Sequence, residues 1–168
     1  MKQGPRYRVK SRRRRQGKTD YQKRLKLLKS RKIRIVVRKS LKNTRVQFVD
    51  YHEGGDKILV SAISSELPKE YKWKYSTATI PAAYLTGLLA GARAKEKGIN
   101  EGVLDTGRYI PVTGSKLFAA LKGVVDAGIE CPHSEDKLPN EERITGGHLS
   151  KDIKPAITDI KSKITGGK

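Results

Sequence analysis

Among its 168 residues the chain has one cysteine, Cys131, one methionine and one tryptophan, Trp73. A single cysteine excludes an intrachain disulfide and any four-thiolate metal site built within the chain. Aromatic residues make up only 6%, and no apolar run approaches the roughly 18 residues needed to cross a bilayer. Met1 to Lys10 lacks the apolar central stretch of a secretory signal, so the chain is expected to be soluble and cytoplasmic, with no membrane partner. Acid is scarcest at the N-terminal end, where Asp20 is the single carboxylate in the first 45 residues against 20 lysines and arginines.

The remaining 123 residues hold 17 bases and 16 acids, so nearly all of the net charge of +20 belongs to an N-terminal arm and what directly follows it. A domain near neutrality, with 36% hydrophobic residues for a modest core, carries that arm. The expected partner is a polyanion, because Lys and Arg displace condensed counterions from phosphate backbones. Arginine outnumbers lysine in the basic region, 11 to 9, and its planar fork bridges phosphate oxygens or stacks on bases where an ammonium cannot. RNA suits such an arm, since arginine-rich segments fold into irregular RNA surfaces. A solvated tail or a nuclear address is the blander reading of Arg12-Arg13-Arg14-Arg15, but the charge excess extends well beyond what an address requires. A membrane-surface role is disfavoured, as the arm has no Trp, Phe and Leu face to insert.

Three regions are expected: a basic arm over 1–18, an α/β domain over 19–132 and an extended, irregular tail over 133–168. Alone in water the arm has almost no apolar residue to anchor it and should be disordered. Thr19 or Asp20 caps a predicted helix to about Lys29, with Tyr21, Leu25 and Leu28 on one face and Lys23, Arg24, Lys26 and Lys29 on the other. Ile33–Arg38, Arg45–Asp50 and Lys57–Ile63 are rich in β-branched residues and read as an antiparallel meander, with Glu53-Gly54-Gly55-Asp56 as a hairpin turn. A helix follows from Thr79 to a stop at Gly98, then a short strand at Val103-Leu104, then a helix capped by Ser115 and ended by Gly128. Small residues such as Gly87 and Gly91 allow the first of these helices to pack closely. The late strand returns by a helical crossover, so the sheet is mixed. Past Pro132 the periodicity fades, leaving one short helical candidate near Pro155 to Lys163 in a tail expected to drape over a partner.

Several clusters have competing readings. Leu67 to Ser76 interleaves Tyr71, Trp73 and Tyr75 with Lys69, Lys72 and Lys74, a pattern that suits base stacking with phosphate contact, or equally the edge of a core. Arg108 and Lys116 flank the Ser115 helix start and are candidates for holding an RNA phosphate; Gly114-Ser115-Lys116 does not have P-loop spacing. Cys131-Pro132-His133 reads as an ordinary loop, because His52 and His148 are remote in sequence. The alternative function is a metal-dependent nuclease acting on structured RNA. Asp50 and Asp105 are its candidate carboxylates, but such sites gather three or four, and Asp105 before Thr106-Gly107 reads better as a turn former.

Four stretches, in order, carry a family resemblance: Arg6-Tyr7-Arg8-Val9-Lys10 through Gly17-Lys18-Thr19-Asp20-Tyr21; Pro81 to Leu89; Val103 to Gly107; and Gly114 to Gly128. They resemble the archaeal branch of the large-subunit ribosomal protein eighteen family. The resemblance implies a ribonuclease-H-like sheet as in other translational proteins, and a role in docking 5S ribosomal RNA onto the large-subunit rRNA, beside neighbouring ribosomal proteins. It implies no catalysis, cofactor or small-molecule substrate. Carried over by position, Arg6, Tyr7, Arg8, Arg12, Arg13, Arg14, Arg15, Lys18 and Tyr21 are the contact candidates; the residues themselves add Lys10, Arg24, Lys72, Trp73, Lys74, Arg108 and Lys116.

Overall fold

Three β-branched segments form the strands β1 (Arg34–Lys39), β2 (Thr44–Asp50) and β3 (Lys57–Ile63) of an antiparallel meander, each within a residue of its expected bounds. They are seen in a computed structural model that describes residues 4–150 and 152–166. The fourth strand, β4 (Val103–Asp105), runs parallel to β1, giving the order β3-β2-β1-β4 and the mixed sheet expected of a helical crossover. In the hairpin between β2 and β3, Gly55 takes φ +143° and its N–H bonds to the His52 carbonyl.

Alternation along the strands puts Ile35, Val37, Val46, Phe48, Val60 and Ala62 in the core. Above that face lie α4 (Ile80–Glu96) and α5 (Lys116–Asp126). The α4 start is as expected: Thr79 Oγ1 accepts from the Ala82 N–H, and Pro81 sits in the first turn, where its missing N–H costs nothing. Gly98, at φ +75°, follows the last turn. The two helices touch backbone to backbone. A Cβ on Gly87 would lie 2.0 Å from the Ala120 carbonyl oxygen, and one on Gly123 would lie 2.1 Å from that of Tyr84.

The structure corrects the expectation of an irregular tail. Beyond Pro132 come a single 3-10 turn, the short helix α6 (Glu141–Ile144) and a 13-residue helix, α7 (Ile153–Thr165). Ile153, Ile157, Ile160 and Ile164 follow a helical period, are all buried, and join the main core where α7 meets α4. The tail therefore buries its apolar stripe in its own domain. Pro155 falls in the first turn of α7, where it does not break the helix.

The N-terminal region has the opposite character. One helical turn, α1 (Arg12–Arg15), and the helix α2 (Tyr21–Lys29) contain no buried residue. Among described residues before position 19 every one is exposed.

Candidate nucleic-acid interface

Reversing the strand alternation puts Arg34, Val36, Arg38, Gln47 and Val49 on the sheet face away from α4 and α5, and α2 lies over it. Asp20 caps α2 as expected, its Oδ1 accepting from the N–H groups of Gln22 and Lys23 at 3.0 and 3.1 Å. The Lys23 amide bond, joined by that of Gln22 and by nearby cations, holds the Asp20 carboxyl below the ordinary carboxylate range.

The facing of α2 departs from the expected apolar stripe. Tyr21 and Leu25 stay 41% and 57% exposed, while Lys23, Arg24 and Leu27 line a cleft of about 280 Å³ against the sheet. Acceptors on the sheet side explain the choice. Arg24 Nη2 lies 2.8 Å from Asp56 Oδ1, and Lys23 Nζ donates to Thr106 Oγ1 at 2.9 Å and to the Gly107 carbonyl at 3.1 Å.

A buried charge cluster floors the cleft. Arg34, only 3% exposed, sits 2.8 Å from Asp56 Oδ2 through Nη2 and 3.3 Å from Asp105 Oδ2 through Nη1. The approach to Asp56 is close but off the hydrogen-bond axis, so it acts as an ion pair, and Arg34 Nε has no partner among the described residues. Arg38 donates through Nη1 to the carbonyls of Asp105 and Val37 at 2.7 and 2.9 Å, with Nη2 3.4 Å from Asp105 Oδ1. Burial raises the Asp56 carboxyl pKa, but the guanidinium groups of Arg24 and Arg34 outweigh it and leave the group below its ordinary range. Asp105 does form the expected turn, accepting the Gly107 N–H at 2.7 Å, and it is a charge partner as well.

The expected contact residues fall into four groups. Arg6, Tyr7, Arg8, Lys10, Arg12, Arg13, Arg14, Arg15 and Lys18 are exposed on the arm, with Arg13 Nε bonded to Thr19 Oγ1 and both Arg13 and Lys18 reaching the cleft wall. Tyr21 is exposed beside them, whereas Arg24 is tied to Asp56. Lys72 and Lys74 are exposed, but Trp73 between them is not. It is 3% exposed, packs edge-on against Tyr75 with ring centroids 5.1 Å apart, and points its indole N–H at the Ser76 carbonyl. Trp73 is therefore a core residue and has no open face for stacking; the turn of α3 (Glu66–Glu70) and the positive φ of Lys72 swing it inward. Arg108 is exposed and Lys116 half-buried; Lys116 lines a different cavity. Reading the sequence missed Arg34 and Arg38, whose four-residue spacing on a strand puts them on one face.

No group of three or more His, Cys, Asp or Glu among the described residues could hold a metal, and Asp105 is engaged by two arginines. Burial raises the pKa of the Cys131 thiol, and His133 Nδ1 lies 2.7 Å from the Cys131 carbonyl oxygen. No described helix is long and apolar enough to cross a membrane.

Exposed cations before position 19 and a cation-lined cleft on a well-packed α/β domain make a surface complementary to a polyanion. The family model for ribosomal large subunit proteins 60S L5 and 50S L18 matches residues 5–101. The large ribosomal subunit protein uL18 of Korarchaeum cryptofilum is 54% identical over 150 residues, covering 89% of this chain and 76% of that protein. Its counterpart in Aeropyrum pernix is 52% identical over 151 residues, covering 90% and 71%. That of Haloarcula marismortui is 51% identical over 151 residues, covering 90% and 80%. The chain belongs to this family of large-subunit ribosomal proteins, in its archaeal branch.

Proposed function

We propose that this chain binds 5S ribosomal RNA and attaches it to the large-subunit rRNA. As a member of its family it is a structural constituent of the large ribosomal subunit, located with the ribosome in the cytoplasm. One observation carries the RNA reading: the arm cations are exposed and lead into the cationic mouth of the α2 cleft through Arg13 and Lys18. Affinity comes mainly from neutralised phosphates, and orientation from the rigid sheet beneath. Lys72, Lys74 and Arg108, exposed on separate loops, provide further phosphate contacts. The three-strand meander, helix and parallel fourth strand support a ribonuclease-H-like topology. The role is architectural, with no reaction assigned; a magnesium-dependent RNA cleavage assay should be blank.

The test is a titration against 5S ribosomal RNA with transfer RNA as competitor, at two salt concentrations. Binding should survive the competitor. Deleting residues 1–18 removes eight cations from Arg6 to Lys18. If half of them sit on phosphates, the slope of log affinity against log salt falls by about 3, at 0.7 to 0.9 for each phosphate. An unchanged affinity and slope would refute the arm's role, and equal loss to transfer RNA would refute specific recognition by the free chain.

A further inference from the structure

A second cavity, of about 440 Å³, lies where the end of β1 meets the starts of α4 and α5 and the loop after α6. Its volume is in the range of ligand-holding clefts. Lys39, Lys116 and Arg143 line it, with His148 beside them, and among the described residues no carboxylate does. None of these three cations has an ion-pair partner among the described residues, in contrast to Arg24, Arg34 and Arg38 in the first cleft. One of the three is positioned from behind. The Lys39 ammonium sits 5.5 Å from the Tyr109 ring centroid, while the Tyr109 hydroxyl donates to the Lys39 carbonyl at 2.6 Å. Arg143 lies over Gly114, its Nη1 3.8 Å from where a Cβ would stand. The Ser115 hydroxyl on the same wall is shut from solvent and makes no hydrogen bond among the described residues.

The wall also has apolar members, Ile80, Val112 and Leu149 among them. Val112 is 59% and Leu149 47% exposed there, large apolar side chains left open among the described residues. Cations lining one cavity beside exposed apolar side chains match a nucleotide, which needs phosphate neutralised and one base face covered. The two cavities are linked through shared lining residues. Arg38 borders both the first cleft and a shallow groove shared with Arg45 and Lys39, and Lys39 borders the second cavity.

We infer that this cavity holds one unstacked nucleotide of a ribosomal RNA strand, its phosphate against Lys39, Lys116 and Arg143 and its base against Val112 and Leu149. The inference rests on the RNA-binding reading above and adds a pocket for a base to a surface otherwise read as charge. C-terminal residues thereby take part in recognition, through Arg143 and Leu149.

The experiment is an amide NMR titration of the full chain with a 5′-phosphorylated uridine trinucleotide, and separately with inorganic phosphate. Saturable shifts are expected at Val112 to Lys116 and at Arg143 to Leu149. Arg143→Ala should weaken them about tenfold, through a lost charge-assisted contact. Leu149→Ala should weaken them about fivefold, through lost apolar cover, with an unchanged melting temperature showing the fold intact. Shifts confined to residues 6–24 would overturn the pocket and leave the arm's role standing. Inorganic phosphate reproducing the same shifts, with Leu149→Ala silent, would make this a bare anion site and overturn the base contact. No shift anywhere, with 5S ribosomal RNA still bound in the titration, would overturn the pocket alone. Loss of both would overturn the RNA-binding reading itself.

Discussion

Replacing Asp105 by asparagine separates its two roles. Asparagine forms the same turn and can still accept the Gly107 N–H, so a residue needed only as a turn former would tolerate the change within about 0.5 kcal/mol. The structure predicts otherwise, because the carboxylate faces Arg34 at 3.3 Å and Arg38 at 3.4 Å, and Arg34 is 3% exposed. Removing one partner of a buried ion pair costs about 3 to 5 kcal/mol, since the other charge is left without compensation in a poor solvent. Asp56 remains beside Arg34, which places Asp105→Asn at the lower end, at about 3 kcal/mol. With a urea m-value of about 2 kcal/mol/M, the unfolding midpoint should fall by about 1.5 M. Equilibrium urea unfolding followed by far-UV circular dichroism and Trp73 fluorescence measures this, and coincident transitions test the two-state assumption. Asp50→Asn, at an exposed strand end, is the control and should move the midpoint little. If Asp105→Asn and Asp50→Asn behaved alike, the buried charge cluster would have no energetic weight.

The Asp56 carboxyl is depressed in the folded chain, so its contribution is present above its unfolded value of about 3.9 and is lost as pH falls through the folded one. The stability difference between wild type and Asp56→Asn should therefore shrink between pH 6 and pH 3; a difference constant over that range would refute the coupling. Ile157 is 4% exposed on α7, and Ile157→Ala should cost about 2 to 4 kcal/mol in urea unfolding of the free chain. A tail that served only a partner would show no such cost.

What could be read from the sequence divides along physical lines. The strands were legible because β-branched runs were punctuated by glycine and asparagine, and α4 and α5 because each has a polar residue before it and a glycine after it. The facing of α2 was not. Tyr21, Leu25 and Leu28 make a helical stripe, but the surface under α2 offers only a few apolar residues, Val36 and Val49 among them, beside strong acceptors in Asp56, Thr106 and the carbonyl of Gly107. Ion pairs and hydrogen bonds from Lys23 and Arg24 then outweigh the burial of two side chains worth about 1.5 to 3 kcal/mol each. Trp73 was ambiguous in principle, since alternating aromatic and lysine residues fit a stacking loop and a core edge alike; only the position of α3 decides. The candidate near Pro155 to Lys163 falls within α7, but the full length and burial of that helix were obscured because its four isoleucines are diluted by lysines, bracketed by glycines and joined by a proline, each of which lowers local periodicity without weakening the stripe.

The same structure changes how the basic region should be counted. Its charge, taken as a whole, looks available to RNA, yet the cations of that stretch are of two kinds. Lys23, Arg24, Lys32, Arg34 and Arg38 are bound to protein acceptors and hold α2 and β4 against β1. Those from Arg6 to Lys18 have, with the exception of Arg13, no side-chain acceptor among the described residues. A phosphate drawn to the cleft would compete with Asp56 for Arg24, so contact there costs an existing ion pair, whereas contact along the arm costs only ordering entropy. Charge reversals in the two groups should then differ in kind: on the arm they lower RNA affinity and salt slope at unchanged stability, while at Arg34 or Arg38 they lower stability first.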